Sequence, residues 1–228
     1  MKKSLYETDP EFMERFDLFT ADVIQEKGQE LEEKTRYMAV LAALLGCQGC
    51  DAFREVLTDA LKAKGGITPV EAREIVYQAV DYLGYGRVRT FFDIMNEVFT
   101  EQAVALPLPA QATTTKENRL EKGAEAQTVI FGEHMKEAWK KGHINRWLAE
   151  NCFGDYYTRK GLDLAQREMI TFCFLAAQGG CEPQLTAHAK GNINMGNDKA
   201  FLLRVISQCL PYIGYPRSLN AVNCVNNA

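Results

Sequence analysis

A chain of 228 residues, 46% hydrophobic and 25% charged, has the balance of an ordinary globular protein and enough length for one large domain or two small ones. Its net charge of −4 offers no basic face of the kind nucleic acid requires. The longest apolar runs, residues 38–47 and 169–177, fall well short of the roughly 20 residues of a membrane span. The opening MKKSLYETDPEF lacks the apolar core of a signal peptide, and seven cysteines without a disulfide-framework pattern fit a reducing cytoplasm.

Apolar residues recur at helical spacing almost throughout, and strand signals are scarce, so the chain reads as all-α. Phe12, Phe16 and Phe19 mark a first helix. A second, from about Leu31, carries a stretch (38–45) that is apolar on every side and is expected to be buried all round. After a break at 46–50, a helix with Phe53, Val56, Leu57, Ala60 and Leu61 on one stripe ends at Gly65-Gly66. Thr68-Pro69-Val70-Glu71 opens the next as a capping box with proline at its first helical position. A further helix is expected at about 90–101. Residues 106–116 (LPLPAQATTTK) read as a linker, with two prolines and a threonine run that deny a regular helix. A helix of roughly 20 residues with Val129, Ile130, Met135 and Trp139 follows, stopping at Lys140-Lys141-Gly142.

The pattern then returns. Arg15-Phe16, Leu31, Arg36, Met38, Leu44, Gly49-Cys50-Asp51 and Gly65 answer to Arg146-Trp147, Leu162, Arg167, Met169, Leu175, Gly180-Cys181-Glu182 and Gly196 at one constant offset. After a single-residue insertion, Gln78, Tyr82, Gly84, Tyr85 and Arg87 answer to Gln208, Tyr212, Gly214, Tyr215 and Arg217. A repeat this long is a duplicated domain, and two such units are expected to pack about a pseudo-twofold. The division is 1–105 for a degenerate first copy, 106–120 for the linker and 121–228 for a second copy that carries the candidate site.

The copies differ in chemistry. Glu168 stands where the first copy has Tyr37, and His188 where it has Leu57, so an acid and an imidazole occupy core positions. His188 shares an inward stripe with Leu185, Ala189 and Ile193. Buried groups of this kind need partners, and a carboxylate–imidazole pair in an apolar setting is suited to proton transfer. The same placements also suit a helix-capping acid and a hydrogen-bonded core histidine. Cys181 follows Gly179-Gly180 at a helix start, where a thiol can become reactive, though a small buried residue fits equally well. The expectation is that Glu168, Cys181 and His188 share one pocket. Cys47 and Cys50 form a CxxC that can run redox chemistry in the cytosol, or be two half-buried thiols. No second Cys or His pair stands at metal-ligand spacing, so no metal and no cofactor are expected. Arg217 and Arg167 can grip a substrate carboxylate in bidentate fashion or serve structurally. Asn192, Asn194, Asn197 and Asn220 read as helix-end residues, Asn197-Asp198 as a cap. Cys152, Cys173, Cys209 and Cys224 read as packing.

Arg167-Glu168, Gly180-Cys181-Glu182, Gln184-Leu185, His188, Gly196, the run Tyr212-Ile213-Gly214-Tyr215-Pro216-Arg217 and Asn220-Ala221 resemble the carboxymuconolactone decarboxylase family, within the alkylhydroperoxidase D-like superfamily. The likeness is good over about 145–225 and weaker, in register, over about 12–100, so the chain resembles a tandem member. It implies an all-helical fold assembled as a homo-oligomer, a trimer of tandem chains forming a pseudo-hexameric ring. It also implies one of two chemistries. In the first, a small carboxylated lactone loses CO2 and is reprotonated, with His188 as proton donor, Glu168 its partner and Arg217 an anchor. In the second, a thiol pair reduces a hydroperoxide through Cys47/Cys50 or Cys181. The peroxidase set is incomplete in either copy, since the second has one cysteine and the first lacks the glutamate and histidine.

Overall fold

Two helices that are apolar on nearly every side form the centre of the molecule. The computed structural model describes residues 4–228. Within them the first half is α1 (Leu5–Thr8), α2 (Pro10–Gln25), α3 (Glu33–Cys47), α4 (Cys50–Lys62), α5 (Pro69–Leu83) and α6 (Tyr85–Glu101). The second half is α7 (Arg119–Phe131), α8 (His143–Trp147), α9 (Leu164–Gln178), α10 (Glu182–Asn194), α11 (Lys199–Ile213) and α12 (Tyr215–Asn226). Between α8 and α9 lies a wide π-helical segment, Leu148–Tyr157. There is no strand among the described residues.

The duplication governs the packing. α3 lies against α9 at the core, α5 of the first half packs on α9, and α11 of the second half packs on α3. Each half therefore covers the other's central helix, as a pseudo-twofold requires. The crossing point is Gly46 against Ala177, which are equivalent positions of the two copies. A Cβ on Gly46 would lie 2.6 Å from the Phe174 carbonyl oxygen and 2.7 Å from the Ala177 Cβ. Residues 38–46 of α3 and 167–177 of α9 are buried without interruption. One hydrophobic core accordingly runs through both halves.

Local signals behave as the residues dictate. Thr68 and Glu71 form the capping box at α5, Glu71 Oε2 accepting from the Thr68 N–H at 2.7 Å. Asp163 and Gln166 cap α9 in the same reciprocal way, and Asp198 caps α11 by accepting from the Phe201 N–H at 2.6 Å. Three expectations need correction. The helix after the linker is not 20 residues long: α7 stops at Phe131, because Gly132 turns the backbone to φ +104, and the chain continues as short 3₁₀ turns to Lys141. The last helix of the first half begins at Tyr85 rather than near 90. The break between α3 and α4 is narrower than 46–50, since α3 runs through Cys47 and α4 starts at Cys50. The irregular segment between α6 and α7 is tied down: the Lys160 N–H donates to the Gln111 carbonyl, and the Thr113 and Thr114 hydroxyls to the carbonyls of Thr158 and Gly154.

Candidate functional site

The site is assembled from α9 and α10, with side chains from α5, α7 and the π segment closing it. Glu168, one turn into α9, is 0% exposed. His188 stands mid-way along α10, and its Nδ1 lies 2.9 Å from Glu168 Oε2. The two helices meet closely because residue 191 is glycine. A Cβ there would lie 2.5 Å from Glu168 Oε2 and 2.9 Å from the Phe131 ring. Asn192 fixes their register, its amide donating to the carbonyls of Glu168 and His188 at 2.9 and 2.8 Å.

The other carboxylate oxygen is served by a chain of hydroxyls. Tyr157 donates to Glu168 Oε1 at 2.8 Å. Its single proton spent, the Tyr157 oxygen accepts from Thr171 and from Tyr82, each at 2.8 Å. Gln78 in turn donates to Thr171 Oγ1 at 2.8 Å, and Cys152 to the Tyr82 oxygen at 3.5 Å. In carboxylate form Glu168 thus has a donor on each oxygen, which offsets the cost of burying it. Burial drives the phenols of Tyr157 and Tyr82 well above their ordinary range, so both remain donors.

The imidazole lies between two aromatic edges, Phe131 with centroids 5.3 Å apart and Tyr82 at 5.4 Å. Its Nδ1 is committed to Glu168. Its Nε2 has no hydrogen-bond partner among the described residues, and the side chain keeps 11% exposure. That edge of the ring is the one the geometry leaves open. A groove of about 760 Å³ along α7, between Glu117 and Trp139, includes neither Glu168 nor His188 in its lining.

The remaining candidates lie elsewhere. Cys181 precedes the first residue of α10; its thiol contacts the Leu175 carbonyl at 3.5 Å and the Gln178 amide at 3.9 Å. Seven residues before His188, it is about 10 Å away along the helix axis, so the three-residue pocket expected from the sequence is a two-residue pair. Burial raises the Cys181 thiol pKa despite the Gln178 contact, the opposite of what a reactive thiolate needs. Burial also raises Cys47 and Cys50. Arg167 is not open to a substrate: it is 0% exposed and donates to Glu74 Oε2 at 3.0 Å, Gln78 Oε1 at 2.9 Å and the Arg159 carbonyl at 2.9 Å. Arg217 donates to the Ala177 carbonyl at the far end of α9 and is not brought to the pair. Asn194 and Asn197 bridge elements, donating to the carbonyls of Ile130 and Ala165. Among the described residues no three His, Cys, Asp or Glu side chains gather as metal ligands.

Tyr157, Thr171, Phe131 and Tyr82 were not singled out from the sequence. One signal was present: Gln78 and Tyr82 recur as Gln208 and Tyr212, which marks positions that both copies keep. Because each half covers the other, Gln78 and Tyr82 of the first copy complete the site of the second.

A duplicated helical bundle with a buried acid–imidazole pair between α9 and α10 defines the class. The model of the carboxymuconolactone decarboxylase family matches the chain twice, over residues 10–97 and 143–227, and the chain belongs to that family. No curated protein matches it in sequence. Among solved structures it is similar to a candidate gamma-carboxymuconolactone decarboxylase subunit from Burkholderia xenovorans LB400. That protein is 21% identical, with a TM-score of 0.53, over 95% of this chain and 86% of that one. At this identity the likeness shows the shared fold.

Proposed function

We propose that the chain is a carboxymuconolactone decarboxylase-like enzyme, a carbon–carbon lyase acting on a small carboxylated, lactone-like substrate without a cofactor. The observation that carries this reading is the His188 Nδ1–Glu168 Oε2 contact of 2.9 Å, with Nε2 left unpartnered. The substrate carboxylate leaves as CO2, and the electron pair of the broken carbon–carbon bond passes into the unsaturated lactone. The Nε2 proton of His188 then goes to carbon, and solvent returns a proton to the ring. Glu168, held by Tyr157, balances the charge on the imidazolium and fixes the ring's orientation, as positioned acid–base pairs do.

Exposed apolar side chains support assembly with further copies of the chain as a ring-shaped homo-oligomer, the trimer of tandem chains that the family likeness implies. Ile144, Trp147 and Leu148 stand together on the second half and Phe12 and Leu18 on the first. The thiol-peroxidase alternative draws on Cys47 and Cys50 or on Cys181, and the raised pKa values of all three argue against it. CO2 release from carboxymuconolactone and related small carboxylated lactones tests the reading. Turnover by the wild-type chain that falls at least 100-fold in His188→Ala and Glu168→Gln supports it; no turnover of any such lactone opposes it.

A further inference from the structure

The proline-rich segment between the two halves encloses space against α5. Residues 107–112 line a cavity of about 280 Å³ together with Arg73, Glu74 and Tyr77 of α5 and with Arg159. A second cavity, of about 450 Å³, adjoins it, since Arg73, Tyr77 and Pro107 belong to both linings. The rest of that second lining is mostly apolar: Phe92, Met95 and Leu106, with Asn96. The segment is tied down here, the Lys160 N–H donating to the Gln111 carbonyl at 3.0 Å.

Positive charge is in excess at this place. Glu74 is the only acid in either lining among the described residues, and two guanidinium groups already share it. Arg159 donates to both of its oxygens at 2.9 Å, and Arg167 donates to Oε2 at 3.0 Å. Arg73 has no ion pair and no hydrogen bond among the described residues, and its Nε is buried. Its guanidinium carbon lies 5.8 Å from the centre of the Phe99 ring, a contact that orients the group without neutralising it. The other acids nearby are committed. Asp155, which interacts with Arg159, is paired with Arg119 at 2.7 Å, and Asp93 and Glu97 of α6 are paired with Arg89 and Arg54. The Tyr77 ring lies between the Arg159 guanidinium, 5.0 Å from its centroid, and the Phe92 ring at 5.8 Å. The Tyr77 hydroxyl has no hydrogen-bond partner among the described residues. The duplication maps Arg73 and Tyr77 onto Leu203 and Ser207, so the shared fold requires neither side chain.

We propose that the two adjoining cavities bind a small organic carboxylate with an apolar body. The carboxylate is held by Arg73, with the Tyr77 hydroxyl as a further donor, and the body lies against Phe92, Met95 and Leu106. A partly buried cation without a counter-charge is costly, and a carboxylate removes that cost; its two oxygens match the planar fork of a guanidinium. Arg159 and Arg167 together outweigh Glu74, so that carboxylate does not repel the ligand. The first copy, which has lost the acid and the imidazole, thus keeps a ligand site of its own. Neither Glu168 nor His188 lines it, and it stands independently of the reading of that pair.

Calorimetric titration of the full chain at pH 7 and constant ionic strength tests it, with sodium benzoate as the probe. Sodium acetate lacks the apolar body and benzyl alcohol lacks the charge. The expected result is saturable benzoate binding with a Kd of about 1 mM or tighter, and binding about tenfold or more weaker for both controls. Arg73→Met is expected to weaken benzoate binding about tenfold or more and, having removed an uncompensated cation, to unfold at a Tm no lower than wild type. Tyr77→Phe keeps the ring and is expected to weaken binding to a similar degree; it decides the matter if Arg73→Met does not fold. His188→Ala is expected to bind benzoate within about twofold of wild type, which separates this site from the acid–imidazole pair. Absence of saturable binding, acetate binding as tight as benzoate, or benzoate binding that survives Arg73→Met and is lost in His188→Ala overturns the proposal.

Discussion

Tyr82 and Tyr157 hold their hydroxyl oxygens 2.8 Å apart, one tyrosine from each half of the chain. Through Tyr157 this contact reaches Glu168, so the hydrogen bonding of the candidate site depends on how the two halves dock. Tyr157→Phe removes the donor to Glu168 Oε1 and the acceptor for Tyr82 and Thr171. The expected loss is about 1–3 kcal/mol, since a buried carboxylate oxygen is left unpaired. Tyr82→Phe takes the outer donor and the weak acceptor for Cys152, leaves Glu168 paired, and is expected to cost about 1 kcal/mol. Urea unfolding of the two variants checks the order; equal stability of both with wild type contradicts the network.

Gly46 is the second point at which the halves depend on each other. Alanine in a helix interior ordinarily gains roughly 1 kcal/mol over glycine. Here the added Cβ meets the Phe174 carbonyl and the Ala177 side chain well inside contact distance. Overpacking of this kind costs about 1–3 kcal/mol. Gly46→Ala is expected to lower Tm by several degrees, and Gly46→Val by more. An unchanged or raised Tm in Gly46→Ala means that α3 and α9 do not cross at this residue.

Asp81, next to Tyr82, gives the protein a pH-dependent term. Burial pushes its carboxyl up to about 7, against the Asn151 amide that donates to Oδ1 at 2.6 Å and with Asp155 adding to the rise. Its Oδ2 has no hydrogen-bond partner among the described residues. The folded chain keeps this proton up to about pH 7, whereas the unfolded chain releases it near pH 4. The folded state thus binds more protons across that window, and stability falls as pH rises through it. Asp81→Asn removes the slope and is expected to be more stable than wild type at pH 8, by up to about 4 kcal/mol, with little difference at pH 4. Parallel pH profiles of urea midpoints decide it; a variant as pH-dependent as wild type between 4 and 7 contradicts the assignment.

Much of this architecture was legible in the residues. The constant offset between copies announced the duplication, the Thr68 box announced a helix start, and an acid and an imidazole at core positions announced the pair. The rest failed for identifiable reasons. Cys181 is near His188 in the chain, but seven residues along a helix separate them by two turns, so sequence proximity misled. Arg167 looked available because its partner Glu74 belongs to the other half, and the fold had to be known before the pair could be seen. Tyr157 rides on a π segment whose counterpart in the first copy has no similar residue at that position. The expected 20-residue helix ignored the cost of Gly132, whose backbone turns out of the helical region.

The most direct measurement compares CO2 release from a carboxylated lactone by His188→Ala and by Cys181→Ser, each verified as folded. If the imidazole beside Glu168 delivers the proton, His188→Ala loses at least 100-fold in kcat while Cys181→Ser stays within about twofold of wild type. Full activity in His188→Ala, or a loss confined to Cys181→Ser, would contradict an acid–imidazole mechanism and point to thiol chemistry.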